Sequence, residues 1–255
     1  MTAGASARGR RRPRVRTWRR TLRALTRPGW ARDVSAAGRR EDRGPLAPPR
    51  LLRPQQGRLG DCWVMAPMLA VAETAPERLR SLLAVEADGT VSVHLPALEV
   101  PLRVDRRFPV DEHGAFLYGR RSGANPGWVG VLEKAIAVHV AGDYPFLQRG
   151  IARFGLELLL GERVRTQLRM PTARQILAWR AEGRAITAST HPLSPLVPGA
   201  AGPLPASHVF AVVGADARSG HVHLRDPGRP ETLLVLDARR LRRGMLSVDV
   251  TAPLR

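Results

Sequence analysis

One cysteine lies in a sequence context that suits a reactive thiol. Cys62 is the only cysteine of the chain and belongs to the stretch 56–63, which reads QGRLGDCW. The two glycines permit a tight loop, and the apolar run that follows predicts a helix beginning at or just after Cys62. The positive end of a helix dipole favours the thiolate, which is the nucleophilic form. The amide of Gln56 and the backbone N–H of Cys62 are placed to stabilise an oxyanion; the alternative is a buried structural cysteine.

A thiol nucleophile also needs a base and a group that orients that base. Of the seven histidines, His208 opens a predicted strand over 208–215, directly after a loop rich in Pro and Gly. Asp226 ends the next predicted strand, over 221–225. If these strands pair as a hairpin, the start of one lies beside the end of the other. The spacing makes His208 the candidate base and Asp226 its candidate orienting group, without excluding other arrangements.

Other titratable residues are better explained by structure than by chemistry. His221 and His223 share one face of a strand and are compatible with a metal ion, but no third ligand is evident. A solvated strand face is therefore the favoured interpretation. Glu133 and Lys134 lie in an apolar predicted helix, where we expect a structural ion pair. A single cysteine excludes an intramolecular disulfide and a cysteine-rich metal site, and we predict neither a metal nor a cofactor.

The net charge of +19 is concentrated near the start of the chain. Residues 1–50 hold 15 arginines and three acids and are rich in Gly, Ala and Pro, a composition typical of disorder. Trp18, Leu22 and Leu25 lie at helical spacing among the arginines, which suits an anionic membrane surface or a nucleic acid. A solvated basic tail without a partner is equally compatible with this pattern.

The basic residues also bear on source and location. Lys134 is the only lysine, and such a preference for arginine is typical of high-GC bacteria. No run of about 18 apolar residues is present, so no transmembrane helix is predicted. The basic N-terminus lacks the apolar stretch of a secretion signal. We expect a leaderless, cytoplasmic, bacterial protein.

The order of the predicted elements favours an α+β fold, with helices first and antiparallel strands later. We expect a tail over 1–50 and a folded core over 51–255. The predicted elements are a helix over 61–83 broken at Pro67 and restarted at Pro76, a hairpin over 84–95 with Asp88-Gly89 as its turn, short strands over 98–118, helices over 128–141 and 146–160, a helix from Thr172 to Glu182, strands over 184–190, 208–215 and 221–225, and a final strand, short helix and strand over 231–250.

Several motifs resemble those of the calpain family of cysteine proteases, in family order over about residues 51–230. Residues 56–63 resemble its glutamine-glycine-x-leucine-glycine-aspartate-cysteine-tryptophan signature. Residues 128–134 resemble its tryptophan-x-x-leucine-leucine-glutamate-lysine helix, and residues 142–144 resemble the glycine-x-tyrosine ending. Residues 207–210 resemble its glycine-histidine-alanine-tyrosine strand, and residues 225–227 its arginine-asparagine-proline motif.

The resemblance implies a two-lobed papain-like core, with a cysteine lobe over about 51–145 and a histidine lobe over 146–255. It implies that Gln56 contributes to the oxyanion hole, Cys62 is the nucleophile, His208 the base and Asp226 the orienting group. The implied function is a cysteine endopeptidase acting on a protein or peptide substrate. The alternatives are a deamidase or acyltransferase on the same fold, or an inactive protease-like binding module.

The chain also departs from the family pattern. Asp226 replaces an asparagine, and Gly228 replaces the tryptophan that shields this contact in the family. The family's core calcium sites use acids in neighbourhoods that carry Arg53 and Pro126-Gly127 here. The stretch after Asp226 is too short for a calcium-binding C-terminal module. We therefore expect activity without calcium.

Overall fold

The computed structural model describes residues 35–47, 51–199 and 202–254. Its helices are α1 (Cys62–Ala72), α2 (Pro76–Arg80), α3 (Gly127–Ala135), α4 (Ala152–Leu160), α5 (Ala173–Ala181) and α6 (Ala238–Gly244), with a π-helix at Ile136–Ala141 and 3-10 turns at Tyr144–Leu147 and Ser194–Leu196. Its strands are β1 (Gly38–Glu41), β2 (Pro54–Gln55), β3 (Leu83–Val85), β4 (Val91–Val93), β5 (Leu102–Val104), β6 (Arg107–Val110), β7 (Arg120–Arg121), β8 (Arg165–Gln167), β9 (Ile186–Thr190), β10 (Pro198–Gly199), β11 (Gly202–Pro203), β12 (Val209–Ala215), β13 (Val222–Asp226), β14 (Arg229–Leu236) and β15 (Met245–Val250).

Helix α1 forms the centre of the larger of two clusters of buried apolar residues. Every residue from Trp63 to Val71 is buried, so this helix is enclosed by protein on all sides. Its sequence predicts a break at Pro67, but the helix continues through that residue. Pro67 has no N–H to donate to the carbonyl of Trp63, one turn earlier. Gly155 of α4 packs against that carbonyl so closely that a Cβ would overlap its oxygen.

The second cluster lies on a six-stranded antiparallel sheet with the order β14-β13-β12-β9-β15-β8. The predicted hairpin of 208–215 with 221–225 is confirmed: Ala211 pairs with Arg225 and Val212 with Leu224. Strand β12 also pairs with β9, where Val209 lies opposite Ser189. Mixed helices and antiparallel strands confirm the α+β class.

Most of the local features predicted from the sequence, such as turns and helix ends, are present in the structure. The hairpin over 84–95 forms as β3 and β4, although its loop contains more residues than the predicted two-residue turn. The side chain of Thr172 accepts a hydrogen bond from the N–H of Gln175 and caps α5. Gly142 ends the π-helix in the left-handed conformation, with φ of 105°. Its N–H donates to the carbonyl of Ala137, which is the five-residue spacing of a π-turn.

The structure differs from the prediction within the segment 1–50. Gly38–Glu41 pairs with β6, and Leu46 belongs to the larger buried cluster. The buried carboxylate of Asp42 accepts hydrogen bonds from the N–H groups of Gly44 at 2.9 Å and of Gly127 at 2.6 Å. The folded part therefore includes residues upstream of position 51. The predicted disorder of residues 1–34, with its amphipathic stretch, lies outside the described residues.

Candidate active site

Cys62 is the first residue of α1, as the sequence predicts, and it is partly exposed. Asp61 is the N-cap residue, and its carbonyl accepts hydrogen bonds from Val64 at 2.8 Å and Met65 at 3.1 Å. The thiol therefore lies where the unpaired N–H groups of the first helical turn converge.

The loop before Cys62 is fixed by close backbone contact with a neighbouring segment. A Cβ at Gly57 would overlap the carbonyl oxygen of Leu117, so only glycine fits there. The N–H of Arg58 donates to the same carbonyl at 2.8 Å. The side-chain Nε2 of Gln56 donates to the carbonyl of Leu59 at 2.6 Å, which folds its amide back over the loop. An amide NH2 carries two hydrogens, and this amide also interacts with the carboxyl of Asp61.

His208 and Asp226 are neighbours, as the predicted hairpin requires. Nε2 of His208 lies 2.8 Å from Oδ1 of Asp226. The same oxygen accepts the N–H of Gly228 at 2.8 Å. The edge of the His208 ring meets Phe210, with ring centroids 5.0 Å apart at 88°. Since Asp226 engages Nε2, the other ring nitrogen, Nδ1, is left for the thiol of Cys62.

The backbone at His208 is held by strand β9. Its N–H donates to the hydroxyl of Thr190 at 2.8 Å, and its carbonyl accepts the N–H of Thr190 at 2.8 Å. Ser207 immediately before it has φ of 49°, the left-handed conformation that side chains other than glycine rarely adopt. Such a conformation persists where surrounding contacts enforce it, and it is concentrated at functional sites.

The charges of the site favour an imidazolium. Burial on its own lowers the pKa of His208, but hydrogen bonds and charge interactions with Asp226 and Cys62 outweigh it and raise this pKa to about 9. Burial acts to raise the pKa of Asp226. Its hydrogen bond and charge interaction with His208 act in the opposite direction and are stronger together, so the pKa of Asp226 is lowered overall. At neutral pH the ring therefore carries a proton and Asp226 is ionised.

The structure brings Cys62, His208 and Asp226 together, with Gln56 on the loop that leads to the cysteine. Two predicted details are corrected. Lys134 forms its ion pair with Asp105 at 2.7 Å rather than with Glu133. Glu133 instead accepts the N–H of Gly119 with both carboxylate oxygens, each at 3.0 Å.

Sequence reasoning also missed one neighbour of the nucleophile. The carboxyl of Glu133 faces that of Asp61, and the signal for this contact is weak because the two residues lie on separate elements. Among the described residues, no group of three His, Cys, Asp or Glu side chains is arranged to hold a metal ion, and His221 and His223 gain no third ligand there.

A thiol at a helix start, an imidazole and a carboxylate in series form the arrangement of cysteine-dependent hydrolases. The chain belongs to the calpain family of cysteine proteases, since the model of the calpain family cysteine protease matches residues 51–226. It is 25% identical over 190 residues to the calpain-type cysteine protease DEK1 of Arabidopsis thaliana and 26% identical over 190 residues to the calpain-type cysteine protease ADL1 of Oryza sativa subsp. japonica.

These alignments cover 68% of this chain, and the chain spans only 9% of the length of each relative. The comparison therefore concerns a protease domain, and the other parts of the two plant proteins have no counterpart in the alignment. Within the described residues, no helix is both long and apolar enough to cross a membrane.

Proposed function

We propose that this chain is a cysteine endopeptidase in which Cys62 is the nucleophile, His208 the general base and acid, and Asp226 the orienting group. The observation that carries the proposal is the position of His208, which interacts with the thiol of Cys62 and with the carboxylate of Asp226. Membership of the calpain family supports a peptide or protein as substrate. We also propose that the two buried clusters correspond to the two lobes of a papain-like core.

The proposed reaction begins from a thiolate–imidazolium pair. The sulfur of Cys62 forms a bond to the carbonyl carbon of the substrate, and the carbonyl oxygen becomes an oxyanion. The backbone N–H of Cys62 and the side-chain amide of Gln56 stabilise that charge. His208 then donates its proton to the leaving amine as the peptide bond breaks. In the second half, His208 removes a proton from water, which attacks the acyl-enzyme; the carbon–sulfur bond breaks, the acid is released and the thiolate–imidazolium pair is restored.

The proposal is tested with a peptidyl epoxide, which reacts with thiolates in papain-like sites, followed by mass mapping of the adduct. We expect one equivalent on Cys62 and cleavage of a denatured protein substrate, both lost in Cys62→Ser. An adduct without any cleavage of a broad peptide library, but with conversion of glutamine to glutamate, would instead establish the deamidase alternative. Absence of both labelling and turnover in a folded protein would establish the inactive binding module.

A further inference from the structure

Two acidic side chains are buried against each other beside the nucleophile. Asp61 is fully buried and Glu133 is 1% exposed. Both oxygens of Glu133 accept the N–H of Gly119. Neither oxygen of Asp61 has an N–H or O–H donor in good geometry among the described residues; the groups that face them are the carboxyl of Glu133 and the side-chain amide of Gln56.

Two carboxylates cannot both remain ionised in contact with each other and away from water. Each oxygen pair offers only acceptors, so a hydrogen bond between them requires a proton on one of the two groups. Burial raises the pKa of Asp61 to about 7, and burial together with the charge of Asp61 raises the pKa of Glu133 well above its ordinary value. The two groups titrate as one pair that retains a proton at neutral pH.

The remaining groups around the pair do not supply a compensating cation. Tyr144 is buried, and its hydroxyl has no hydrogen-bond partner among the described residues. Tyr118 stacks on it with ring centroids 4.4 Å apart. The charge of Arg39 acts on Tyr144 but forms no ion pair with either carboxyl within the described ranges. Lys134 points to Asp105 instead.

The pair connects to both ends of the loop over residues 56–62. At one end, Asp61 caps the helix that begins with Cys62. At the other end, Arg58 donates to Leu117, two residues before the Gly119 N–H that Glu133 binds. The side chain of Glu133 on helix α3 thus contacts both the segment that supports the loop, at Gly119, and the loop residue next to Cys62, Asp61.

We propose that Asp61 and Glu133 share a proton and form a positioning pair that fixes the loop carrying Cys62. The shared proton provides the hydrogen bond by which Glu133 holds Asp61, and loss of that proton releases the loop. The importance of the loop for turnover rests on the proposed cysteine protease function, but the pair itself does not. Neither residue exchanges a proton with the substrate in this scheme.

The first test compares Glu133→Gln with Glu133→Ala in the full chain. A glutamine accepts the Gly119 N–H through its oxygen and donates an N–H to the Asp61 carboxylate, so it reproduces the proton-sharing state permanently. At pH 7 we expect Glu133→Gln to be labelled on Cys62 by the peptidyl epoxide at nearly the wild-type rate. We expect Glu133→Ala to lose about tenfold or more, because it leaves a buried charge without a partner.

Asp249→Asn is the matched control for this comparison. Asp249 is also a buried acid with a pKa raised by burial, but it lies in β15 and bonds Thr166. We expect its substitution to leave the labelling rate unchanged. If Glu133→Ala fails to fold, Asp61→Asn is measured instead: its amide donates to Glu133, so we expect labelling at nearly the wild-type rate, and a tenfold loss would overturn the positioning role. Equal losses in Glu133→Gln and Glu133→Ala, or none in either, would overturn the positioning role.

The second test follows the unfolding midpoint between pH 5 and pH 9. Unfolded Asp and Glu lose their protons near 3.8 and 4.5, whereas the folded pair retains protons to higher pH. The folded state therefore binds more protons, and the stability from the pair declines as pH rises. Glu133→Gln should reduce this decline. The contribution of His208 is the same in both proteins and cancels in the difference.

Parallel curves for wild type and Glu133→Gln would exclude a shared proton. This measurement uses no substrate and no thiol probe, so it remains informative if the protease function is wrong. Conversely, the pH dependence of the unfolding midpoint could differ between wild type and Glu133→Gln as expected while Cys62 of the wild type is not labelled. That result would refute the protease function and leave the carboxyl pair standing.

Discussion

The surroundings of Cys62 and those of His208 are held in place by different means. Cys62 starts a helix that is buried on all sides, and its loop is fixed by backbone contacts at Gly57 and Arg58. His208 lies at the start of a sheet strand, and its ring is held by the side chains of Asp226 and Phe210. The nucleophile is therefore positioned by close main-chain contacts together with the proposed Asp61–Glu133 pair, whereas the ring of the base is held by side chains of its own strand pair, Asp226 and Phe210.

The difference has a consequence for how each half of the site responds to change. The nucleophile side should be sensitive to added volume in the packing beneath it, because close backbone contacts leave no room for a larger side chain. A side-chain-held group is sensitive to single polar substitutions and to pH, because its partners titrate. Substitutions of each kind distinguish the two halves.

The largest effect is expected from His208→Ala. This change removes the base and the charge partner of the thiolate, so kcat/KM should fall by about three orders of magnitude or more. The unfolding midpoint should fall modestly, because the largely buried ring loses its bond to Asp226, so the folded state is verified separately. Peptide hydrolysis by purified protein measures the loss. Substantial turnover in a folded His208→Ala would assign the base to another residue.

Asp226 tests whether the side chain that holds the ring contributes geometry, charge or both. Asp226→Ala should lose about tenfold to a hundredfold in kcat, because the ring is then free to turn. Asp226→Asn still accepts the ring N–H and should retain much more activity. It lacks the charge that raises the pKa of His208 to about 9, so its alkaline limb should move to lower pH. Wild-type turnover in Asp226→Ala would show that Asp226 is only a turn residue.

Gly155→Ala is the corresponding test of the nucleophile side. Its new methyl group would overlap the carbonyl of Trp63 in the first turn of α1, so the free energy of unfolding should fall by about 1–3 kcal/mol. Chemical denaturation measures it. Gly38→Ala is the control, since a Cβ there meets its nearest neighbour at 3.9 Å. Equal stability of both variants would contradict the close packing of α4 on α1.

The smallest effect is expected from chelation of calcium, because the contacts that join the two regions are made by side chains and backbone groups. Arg53 bonds Glu73 beside α1 and Glu231 of β14 at 2.5 Å each. The N–H of Gln56 also donates to the carbonyl of Pro227 at 2.8 Å. These contacts need no metal, so activity in excess chelator should equal that in calcium. Activity that disappears with chelator and returns with calcium would refute this.

The surroundings of Cys62 and those of His208 also differ in how far the sequence predicted them. The loop and helix start at Cys62 are local features, so the residues 56–63 were sufficient to predict them. The hairpin that joins His208 to Asp226 was predictable from two apolar runs and confirmed by the register. The Asp61–Glu133 contact joins separate elements, and no local pattern encodes it.

Two errors have definite physical causes. Pro67 was expected to break a helix that continues, because the packing around a helix buried on all sides outweighs one lost backbone hydrogen bond. Strand β1 was assigned to a tail because all four of its residues are exposed and show no apolar alternation. It is held by backbone hydrogen bonds to β6, which composition does not reveal.

The π-helix after α3 matters for comparing this chain with its relatives. A π-turn contains one residue more than an α-turn. A relative that continued α3 as a regular α-helix would reach the position of Gly142 with one residue fewer. An alignment drawn without a gap could then be correct on only one side of this segment, and the residues on the other side would each be paired with the wrong counterpart.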